Sequence, residues 1–469
     1  MAGTYRQGEH KDLSGVYTRI VAILDGIEQG ARGIVAYPFT ADWGPVNQLV
    51  DSYFETDFRD TFNAEKNTTL TANKILTHAF PGKPSLVIGY RMATAVAKKG
   101  EATLPAASQT AWVIETLYPS ARPFVVKIAD SLAGGKSLEF AEGGNEVVKV
   151  TGDSVDTLAA AINATDFFRV KTKGSALPDN AASVQFSGGH NGQDVTGTEY
   201  ANFRTELEGD GRAKYFALDD YTDAAEVAAT EAWVLRVRAE GVYISFANGG
   251  PSTWDNDIDA ANIVSKAFNE RAIINVGNGA DGYTAGDVAI YVAARAASVP
   301  LNRTLTDEVT PYKKVNKKLS KSQRIVAKKA GTLVLIQRGD FVEIDEAVNT
   351  FTVVTDPEHQ KKEFGKIRVH NTLDQIATDL EVFGDEYKKT RSNTPAARET
   401  YAALVETEYF APLIGQEVLQ VGATYRPNLD YHGPNPIYTA RIDEAYFKSG
   451  VQPVDSMEKI YQELGVSFR

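Results

Sequence analysis

Three glycines in the second half of the chain have the spacing of a nucleotide-binding loop. Gly277, Gly279 and Gly282 follow a predicted strand at residues 272–276 and precede a predicted helix at residues 285–298. A G-x-G-x-x-G turn in that context can hold a dinucleotide pyrophosphate at the helix N-terminus. Here the strand comes late in its α/β unit, and the nearest carboxylates that could reach a ribose lie beyond a proline. The spacing therefore favours a tight turn, with a nucleotide-binding α/β enzyme as the alternative.

A hydrolytic site is the second chemistry that the residue types allow. The chain contains neither the Gly-x-Ser-x-Gly elbow of α/β-hydrolases nor the Gly-Thr-Ser-x-Ala of subtilases. Ser252 has no histidine at a suggestive spacing, and His190, beside Asp194 in a glycine turn, is expected at the surface. No His-x₃-His or carboxylate–histidine cluster indicates a metal. We therefore expect no catalytic residue, no cofactor and no metal site. The six histidines are His10, His78, His190, His359, His370 and His432.

One stretch of the chain is strongly basic although the chain as a whole is acidic. Residues 312–329 carry eight lysines and arginines and no acidic residue. The pattern predicts the exposed face of a helix that starts at Ser320 and ends at Gly331. An acidic partner that meets this face is the functional alternative. Nucleic acid is a poorer partner, because only Tyr312 offers an aromatic platform.

Composition narrows the classes of function. The chain has 469 residues, no cysteine and a net charge of −12. The length predicts about three domains, and the missing cysteines exclude disulfides and thiolate metal sites. The negative charge disfavours broad binding to nucleic acid or anionic membranes. Because neither a signal peptide nor a run of about 18 apolar residues is evident, we expect a protein made and folded in a cytoplasm, without membrane insertion.

The order of predicted elements divides the chain into five segments. Residues 1–30 predict an extended arm that ends in a strand able to pair outside its own domain. Residues 31–93 alternate strands and helices and predict a small N-terminal α/β domain. Residues 94–188, with short strands between glycine turns, predict an inserted β-sandwich-like domain. Residues 189–355 predict an α/β core with a parallel sheet. Residues 356–469 predict a C-terminal α+β domain.

The glycine-rich stretch at residues 186–200 joins the insertion to the core. Thr196 or Thr198 is predicted to cap the helix that follows it. At the other end of the core, the C-terminal segment predicts a long amphipathic helix at 364–387. It also predicts strands at 441–448 and 457–468, with little sequence left to cover their edges. The strand patterns near both termini therefore suit pairing with another chain.

Five stretches, in their order and spacing, resemble the contractile tail sheath proteins of Gram-positive myophages and of phage-tail-like particles such as R-type bacteriocins. They are ADWGPVN at 41–47, FSGGHNGQDVTGTEY at 186–200, DEAVNTFT at 345–352, FGKIRVH at 364–370 and VDSMEKIY at 454–461.

The resemblance implies a structural protein rather than an enzyme. Its core would be a subtilisin-like α/β domain without the catalytic triad. Copies would polymerise as hexameric rings around a tail tube and contract to drive that tube through a target envelope, in genome ejection or in killing by a contractile injection system. The implied partners are further copies, the tail tube protein, and baseplate and tail terminator proteins. The implied location is the tail sheath of a virion or phage-tail-like particle, assembled in a bacterial cytoplasm.

The same resemblance assigns residues to two surfaces. Arms at both ends would add strands to neighbouring copies, and a helix of the C-terminal domain would attach to the tube, with the basic run as a second candidate for that attachment. The arm residues are Gly15, Val16, Tyr17, Ile20, Met457, Ile460 and Tyr461. The tube-facing residues are Lys361, Lys362, Lys366 and Arg368. Besides the enzyme, a self-assembling surface-layer protein is a third class, which the missing signal peptide disfavours.

Overall fold

The computed structural model describes residues 2–3, 16–17, 32–106 and 110–464. The chain divides into two compact units, one of residues 31–371 with 455–469 and one of residues 1–30 with 372–454. The strands, in chain order, are β1 Ala2–Gly3, β2 Val16–Tyr17, β3 Ile34–Phe39, β4 Leu49–Ser52, β5 Leu86–Arg91, β6 Glu101–Thr103, β7 Val113–Thr116, β8 Phe124–Asp130, β9 Lys136–Glu142, β10 Asn145–Gly152, β11 Phe168–Thr172, β12 Ala181–Gln185, β13 Tyr215–Ala217, β14 Ser245–Gly249, β15 Ile273–Val276, β16 Thr332–Leu333, β17 Leu335–Arg338, β18 Phe341–Ile344, β19 Thr424–Pro427 and β20 Phe447–Gly450. The α-helices are α1 Glu55–Phe62, α2 Ala72–Ala79, α3 Val155–Asn163, α4 Gly197–Asp210, α5 Ala224–Ala239, α6 Ile258–Phe268, α7 Ala285–Ser298, α8 Lys321–Ala330, α9 Ile367–Thr390, α10 Pro395–Leu404, α11 Ala411–Gly415 and α12 Leu429–His432. In the described residues, no helix is long and apolar enough to cross a membrane.

A seven-stranded sheet forms the centre of the first unit, in the order β16-β15-β14-β13-β3-β5-β4. Neighbouring strands are parallel except β4, which runs antiparallel to β5. All six residues of β3 are buried, which is the pattern of a strand covered on both faces. Val35 and Tyr37 join a core with α1, α2 and α7, whereas Ile34 and Ala36 join a core with α4 and α5. Helices thus cover both faces of the sheet.

This sheet corrects the predicted division between residues 31–93 and 189–355. Strand β3 pairs with β5 on one side and with β13 on the other, where Val35 lies opposite Tyr215. The two segments therefore share one sheet and its two cores instead of forming separate domains. The sequence order of strands does not show which of them pair, and the insertion hides that the chain returns to the sheet it left.

Residues 94–188 form two antiparallel sheets, in the orders β10-β9-β8-β12 and β11-β7-β6. They share an aromatic core in which Phe140 stacks on Phe168 at 4.2 Å between ring centroids. Helix α3 packs beside these sheets, and the Ser154 side chain caps it by accepting a hydrogen bond from the Thr157 amide. Where the chain returns to the central sheet, Thr196 is the residue that caps α4, as one of the two predicted alternatives.

The second unit differs most from the sequence-based expectation. Helix α9 lies three residues later than predicted, and the final regular strand is β20 at Phe447–Gly450, antiparallel to β19. Residues 451–464 lie in no helix or strand of the described chain beyond an isolated bridge at Pro453, so the described part of the predicted strand at 457–468 does not form here. A strand pattern needs a partner backbone, and a single chain offers none at that place. The predicted domain of residues 356–469 does not coincide with one unit, because its described residues 356–371 and 455–464 belong to the first unit.

Close packing between β14 and α7 gives a direct test of this fold. A Cβ built on Gly249 would lie 2.1 Å from the carbonyl oxygen of Ala285, whereas a Cβ on Gly209 in α4 would meet nothing within 4 Å. We expect Gly249→Ala to lower the free energy of unfolding by about 2–4 kcal/mol, because backbone atoms must move apart. Gly209→Ala should raise it by up to about 1 kcal/mol. Urea unfolding midpoints measure both, and equal midpoints would contradict the close contact between the end of β14 and α7.

Candidate functional site

The glycine loop at residues 277–282 binds the chain's own polar side chains. The amide of Gly279 donates to the Asp255 carboxylate at 2.7 Å, and the amide of Gly282 donates to the Asn316 side-chain oxygen at 2.7 Å. A Cβ at Gly279 would lie 1.9 Å from the Tyr283 carbonyl oxygen, so the glycine is needed for a close backbone approach. Two backbone amides of the loop are therefore already bonded to side chains of the same chain. The geometry is that of a tight turn, the interpretation that the sequence favoured.

A buried serine–histidine pair lies where the sequence contains no recognisable motif. Ser245, at the start of β14, is 2.8 Å from Nε2 of His370 in the first turn of α9. Both residues are buried, so a substrate carbonyl has no route to the serine oxygen. The pair instead joins a strand to a helix that begins more than a hundred residues later. No periodicity or spacing in the sequence could have revealed it, because the two residues meet only through the tertiary fold.

A group of paired charges lies at the carboxyl edge of the central sheet. Lys74 of α2 contacts Asp220 at 2.5 Å and Asp287 of α7 at 3.0 Å. The neighbouring Asp219 accepts a hydrogen bond from the Tyr200 hydroxyl at 2.6 Å. Burial raises the pKa of both Asp219 and Asp220 above the usual range of a carboxyl, although their hydrogen bonds pull the other way. The cluster braces the fold, because its bonds join α2, α4, α7 and the segment after β13. Within the described residues no group of three His, Cys, Asp or Glu side chains could hold a metal ion.

His78 extends the cluster on α2. Its Nδ1 lies 3.0 Å from the Tyr312 hydroxyl, and its ring packs edge-on against Tyr283. Burial lowers the pKa of His78 to about 4; the negative charge of Asp287 opposes that shift, and the positive charge of Lys74 adds to it. The imidazole is therefore neutral at physiological pH and acts as a packed polar group.

Three other described histidines take part in local bonds. His190 accepts a hydrogen bond from the Gly192 amide at 2.9 Å, and His432 accepts one from the Tyr446 amide at 2.8 Å. His359 lies at the surface 2.7 Å from an Asp356 oxygen. His10 lies outside the described residues. These contacts stabilise turns and do not assemble a catalytic group.

The basic run has the predicted helix, α8, with Ser320 as its N-cap and Gly331 at its C-terminal end. The run is only partly free. Arg324 pairs with Asp345, and Lys328 pairs with Glu346. The lysines that stay exposed form a positive surface together with half-exposed Ile325 and Val326, and they are Lys313, Lys314, Lys317, Lys318, Lys321 and Lys329.

The four residues expected to face a tube fall into two pairs. Lys361 and Lys362 are exposed. Lys366 instead contacts the Glu458 carboxylate, and Arg368, which is buried, donates to the Ser456 hydroxyl at 2.8 Å. The second pair is thus bound to the chain's own C-terminal segment in this structure, a contact between residues about 90 positions apart that the sequence did not reveal.

The expected arm residues are also distributed unevenly over the described chain. Gly15 and Ile20 lie outside the described residues. Val16 and Tyr17 form β2, which runs parallel to β1. Near the other end, the side chains of Met457, Ile460 and Tyr461 are 81%, 69% and 90% exposed. Apolar side chains this exposed and this close together in sequence are typical of a surface that another molecule covers.

These features describe an α/β protein whose buried polar side chains bond to one another. Its exposed lysines and apolar side chains are the groups available to a partner. The fold is that of tail sheath proteins. The sheath tail protein from Desulfitobacterium hafniense is 22% identical with a TM-score of 0.72, over 96% of this chain and 99% of that one. The sheath tail protein from Listeria innocua is 19% identical with a TM-score of 0.69, over 92% and 94%.

A more distant similarity extends over the same length. The helical sheath of the anti-feeding prophage, solved in its contracted state, is 9% identical with a TM-score of 0.55, over 97% of this chain and 99% of that one. No protein-family model matches the chain, and no curated protein matches it. The chain therefore has the sheath fold over nearly its whole length.

The buried His78 predicts how the stability of this fold depends on pH. Its pKa in the folded chain is about 4, below the ordinary value of about 6.5, so the unfolded chain takes up the proton first as the pH falls. His78→Asn keeps a polar atom near Tyr312 but does not titrate. Between pH 6.5 and 4 we expect wild type to lose about 2–3 kcal/mol more unfolding free energy than the variant.

The two proteins share Asp219 and Asp220, whose raised pKa values favour the folded state as the pH falls, so this opposing contribution cancels in the comparison. Urea unfolding at pH 7.5, 6, 5 and 4 gives the difference at each pH. Parallel curves for the two proteins would show that His78 does not titrate in its buried place.

Proposed function

We propose that this chain is the structural subunit of a contractile tail sheath. The observation that carries the proposal is the full-length likeness to two sheath tail proteins and to a contracted helical sheath, which includes both units of the chain and 92–97% of its residues. The remaining parts of the proposal come from the resemblance of the five sequence stretches to contractile tail sheath proteins. Copies assemble as hexameric rings around a tail tube, between a baseplate and a tail terminator, and the sheath contracts to drive the tube through an envelope.

Exposed strand edges and apolar residues support assembly through arms. In the described residues, β19 and β20 pair only with each other, and a two-stranded sheet is marginal by itself. An added strand from another copy would complete its backbone hydrogen bonds. Met457, Ile460 and Tyr461 supply apolar side chains for such a contact. Because the arm and the surface that accepts it differ, the contact is heterologous and propagates from copy to copy.

The free energy of contraction, in this proposal, comes from contacts between subunits. The glycine loop at residues 277–282 has two of its amides bound to Asp255 and Asn316, which argues against nucleotide hydrolysis as the source. We further propose that the α/β unit is a subtilisin-like core without the catalytic triad. The buried Ser245–His370 pair supports this, because its serine oxygen has no access to a substrate.

Electron microscopy of the purified protein tests the proposal. We expect full-length chain to form long hollow cylinders in negative stain, and a chain that lacks residues 1–20 to form none. Tyr461→Asp should reduce cylinder formation by about tenfold or more, because it places a charge in an apolar contact. Leu132→Asp is the matched control, since Leu132 is fully exposed in the turn between β8 and β9 and should assemble like wild type.

Thermal unfolding distinguishes the sheath subunit from the alternative, a nucleotide-binding α/β enzyme. Thermal unfolding of the same preparations with NAD and with ATP should leave the melting temperature unchanged if the glycine loop binds only its own chain. Dispersed particles in microscopy together with a ligand-dependent rise in melting temperature would contradict the sheath proposal and support an α/β enzyme.

The exposed lysines at residues 361 and 362 are the part of the predicted tube surface that stays available. We expect Lys361→Glu combined with Lys362→Glu to weaken co-sedimentation with tail tubes while cylinders still form, because the charges that face the tube are reversed. Lys149→Glu with Lys266→Glu changes the net charge equally at two other exposed sites and should bind tubes normally. Undiminished tube binding by the first pair would remove these lysines from the tube surface.

A further inference from the structure

Residues 455–464, here named the tail segment, belong to the unit of residues 31–371 although the chain before them belongs to the other unit. Three side chains of that first unit bind the start of the tail segment. They are Thr306, Lys366 and Arg368, and we name them the clasp. The sequence assigned two of them, Lys366 and Arg368, to a different surface, so this contact is a finding of the structure.

Glu458 is the residue of the tail segment that the clasp holds most firmly. One carboxylate oxygen contacts the Lys366 ammonium, and the other accepts a hydrogen bond from the Thr306 hydroxyl at 2.9 Å. The two charged side chains are only 11% and 21% exposed. Burial alone would raise the pKa of Glu458, but the hydrogen bond and charge of Lys366 outweigh burial and hold the pKa below its ordinary value. The carboxylate is therefore charged and paired at neutral pH.

Arg368 holds the segment two residues earlier. Its Nε donates to the Leu301 carbonyl oxygen at 3.0 Å, and its Nη1 donates to the Ser456 hydroxyl at 2.8 Å. The guanidinium is thus fixed by the core before it reaches the tail segment. Asp455 adds a longer contact to Lys366, at 3.8 Å. The bonds from the core to the tail segment are consequently concentrated on residues 455–458.

The remainder of the tail segment has the opposite character. Ile460, Tyr461 and Leu464 are 69%, 90% and 90% exposed. Paired charges with little exposure fix a position at a cost in desolvation, whereas adjacent exposed apolar side chains lower the free energy when another surface covers them. Residues 455–458, the root of the tail segment, are therefore fixed by polar bonds. Residues 460–464, its tip, follow directly and expose apolar side chains.

We propose that the clasp fixes the root of the tail segment on its own subunit so that residues 460–464 are presented to a second copy of this chain. This inference rests on the proposed sheath function and deepens it. A segment with a fixed root loses less conformational freedom when its tip docks, so more of the contact energy is retained as affinity. Thr306, Lys366 and Arg368 are then positioning residues of assembly, and Lys366 and Arg368 do not face the tube in this arrangement.

Glu458→Gln tests the clasp, with Glu463→Gln as the matched control that removes the same charge from an exposed residue of the same segment. In dissociated subunits, amide hydrogen exchange at residues 455–458 should become about tenfold faster in Glu458→Gln and stay unchanged in Glu463→Gln. Ser456→Ala, which loses the bond from Arg368, should also exchange faster. All three substitutions lie in the tail segment and leave both cores intact.

Assembly of the same variants tests the role of the clasp. The lowest concentration at which cylinders form should rise about tenfold for Glu458→Gln and stay unchanged for Glu463→Gln. Unchanged exchange in Glu458→Gln overturns the clasp itself, and faster exchange with unchanged assembly overturns its positioning role. Wild-type chain that never forms cylinders would contradict the sheath function, while the exchange data would still decide whether the clasp exists.

Discussion

An ion-paired lysine at the edge of the central sheet joins three separate parts of the chain. The Lys74 ammonium of α2 lies between Asp220, which follows β13, and Asp287 of α7. The Lys74 side chain is part-exposed, so water screens some of this attraction, but both aspartates are largely buried and need a positive partner. Because Lys74 precedes the insertion and both aspartates follow it, these ion pairs favour the closing of one sheet by the two segments. The insertion permits this because its two ends meet: Lys98 and His190 exchange backbone hydrogen bonds at 2.9 and 2.8 Å.

The Lys74 cluster occupies the place where open α/β sheets usually bind a ligand. In open α/β sheets, ligands bind outside the carboxyl ends of the strands, where the strand order reverses. In this chain that place lies between β3 and β13, and it is occupied by Lys74, Asp219 and Asp220 with their partners. The glycine loop near the end of β15 is filled in the same way by Asp255 and Asn316. Side chains that could have held a ligand instead connect distant segments of the chain.

Whether the sequence could predict a structural feature depends on how far apart along the chain the interacting residues lie. The caps at Thr196 and Ser320 and the end of α8 at Gly331 follow from neighbouring residues, and the sequence predicted them, Thr196 as one of two alternatives. The sheet order, the Ser245–His370 pair and the contact of Lys366 with Glu458 join residues dozens to hundreds of positions apart. No local pattern encodes them. The strand predicted at residues 457–468 is the opposite case. Its residues have a strand pattern, but a single chain supplies no backbone to pair with them.

Net charge opposes the assembly of copies of this chain, whereas apolar contact favours it. Each copy has a net charge of −12; salt largely screens the repulsion between copies beyond about 8 Å at physiological ionic strength, so the repulsion acts when the surfaces come closer than that. Attraction must then act at short range, and a well-buried aliphatic or aromatic side chain contributes about 1.5–3 kcal/mol. Ile460, Tyr461 and Leu464 can supply several such contributions. These gains are useful only if the side chains arrive in the right place, since a freely moving segment spends much of the gain on ordering. The paired charges of Lys366 and Glu458 add little attraction between copies, yet they set the position from which the apolar residues can act.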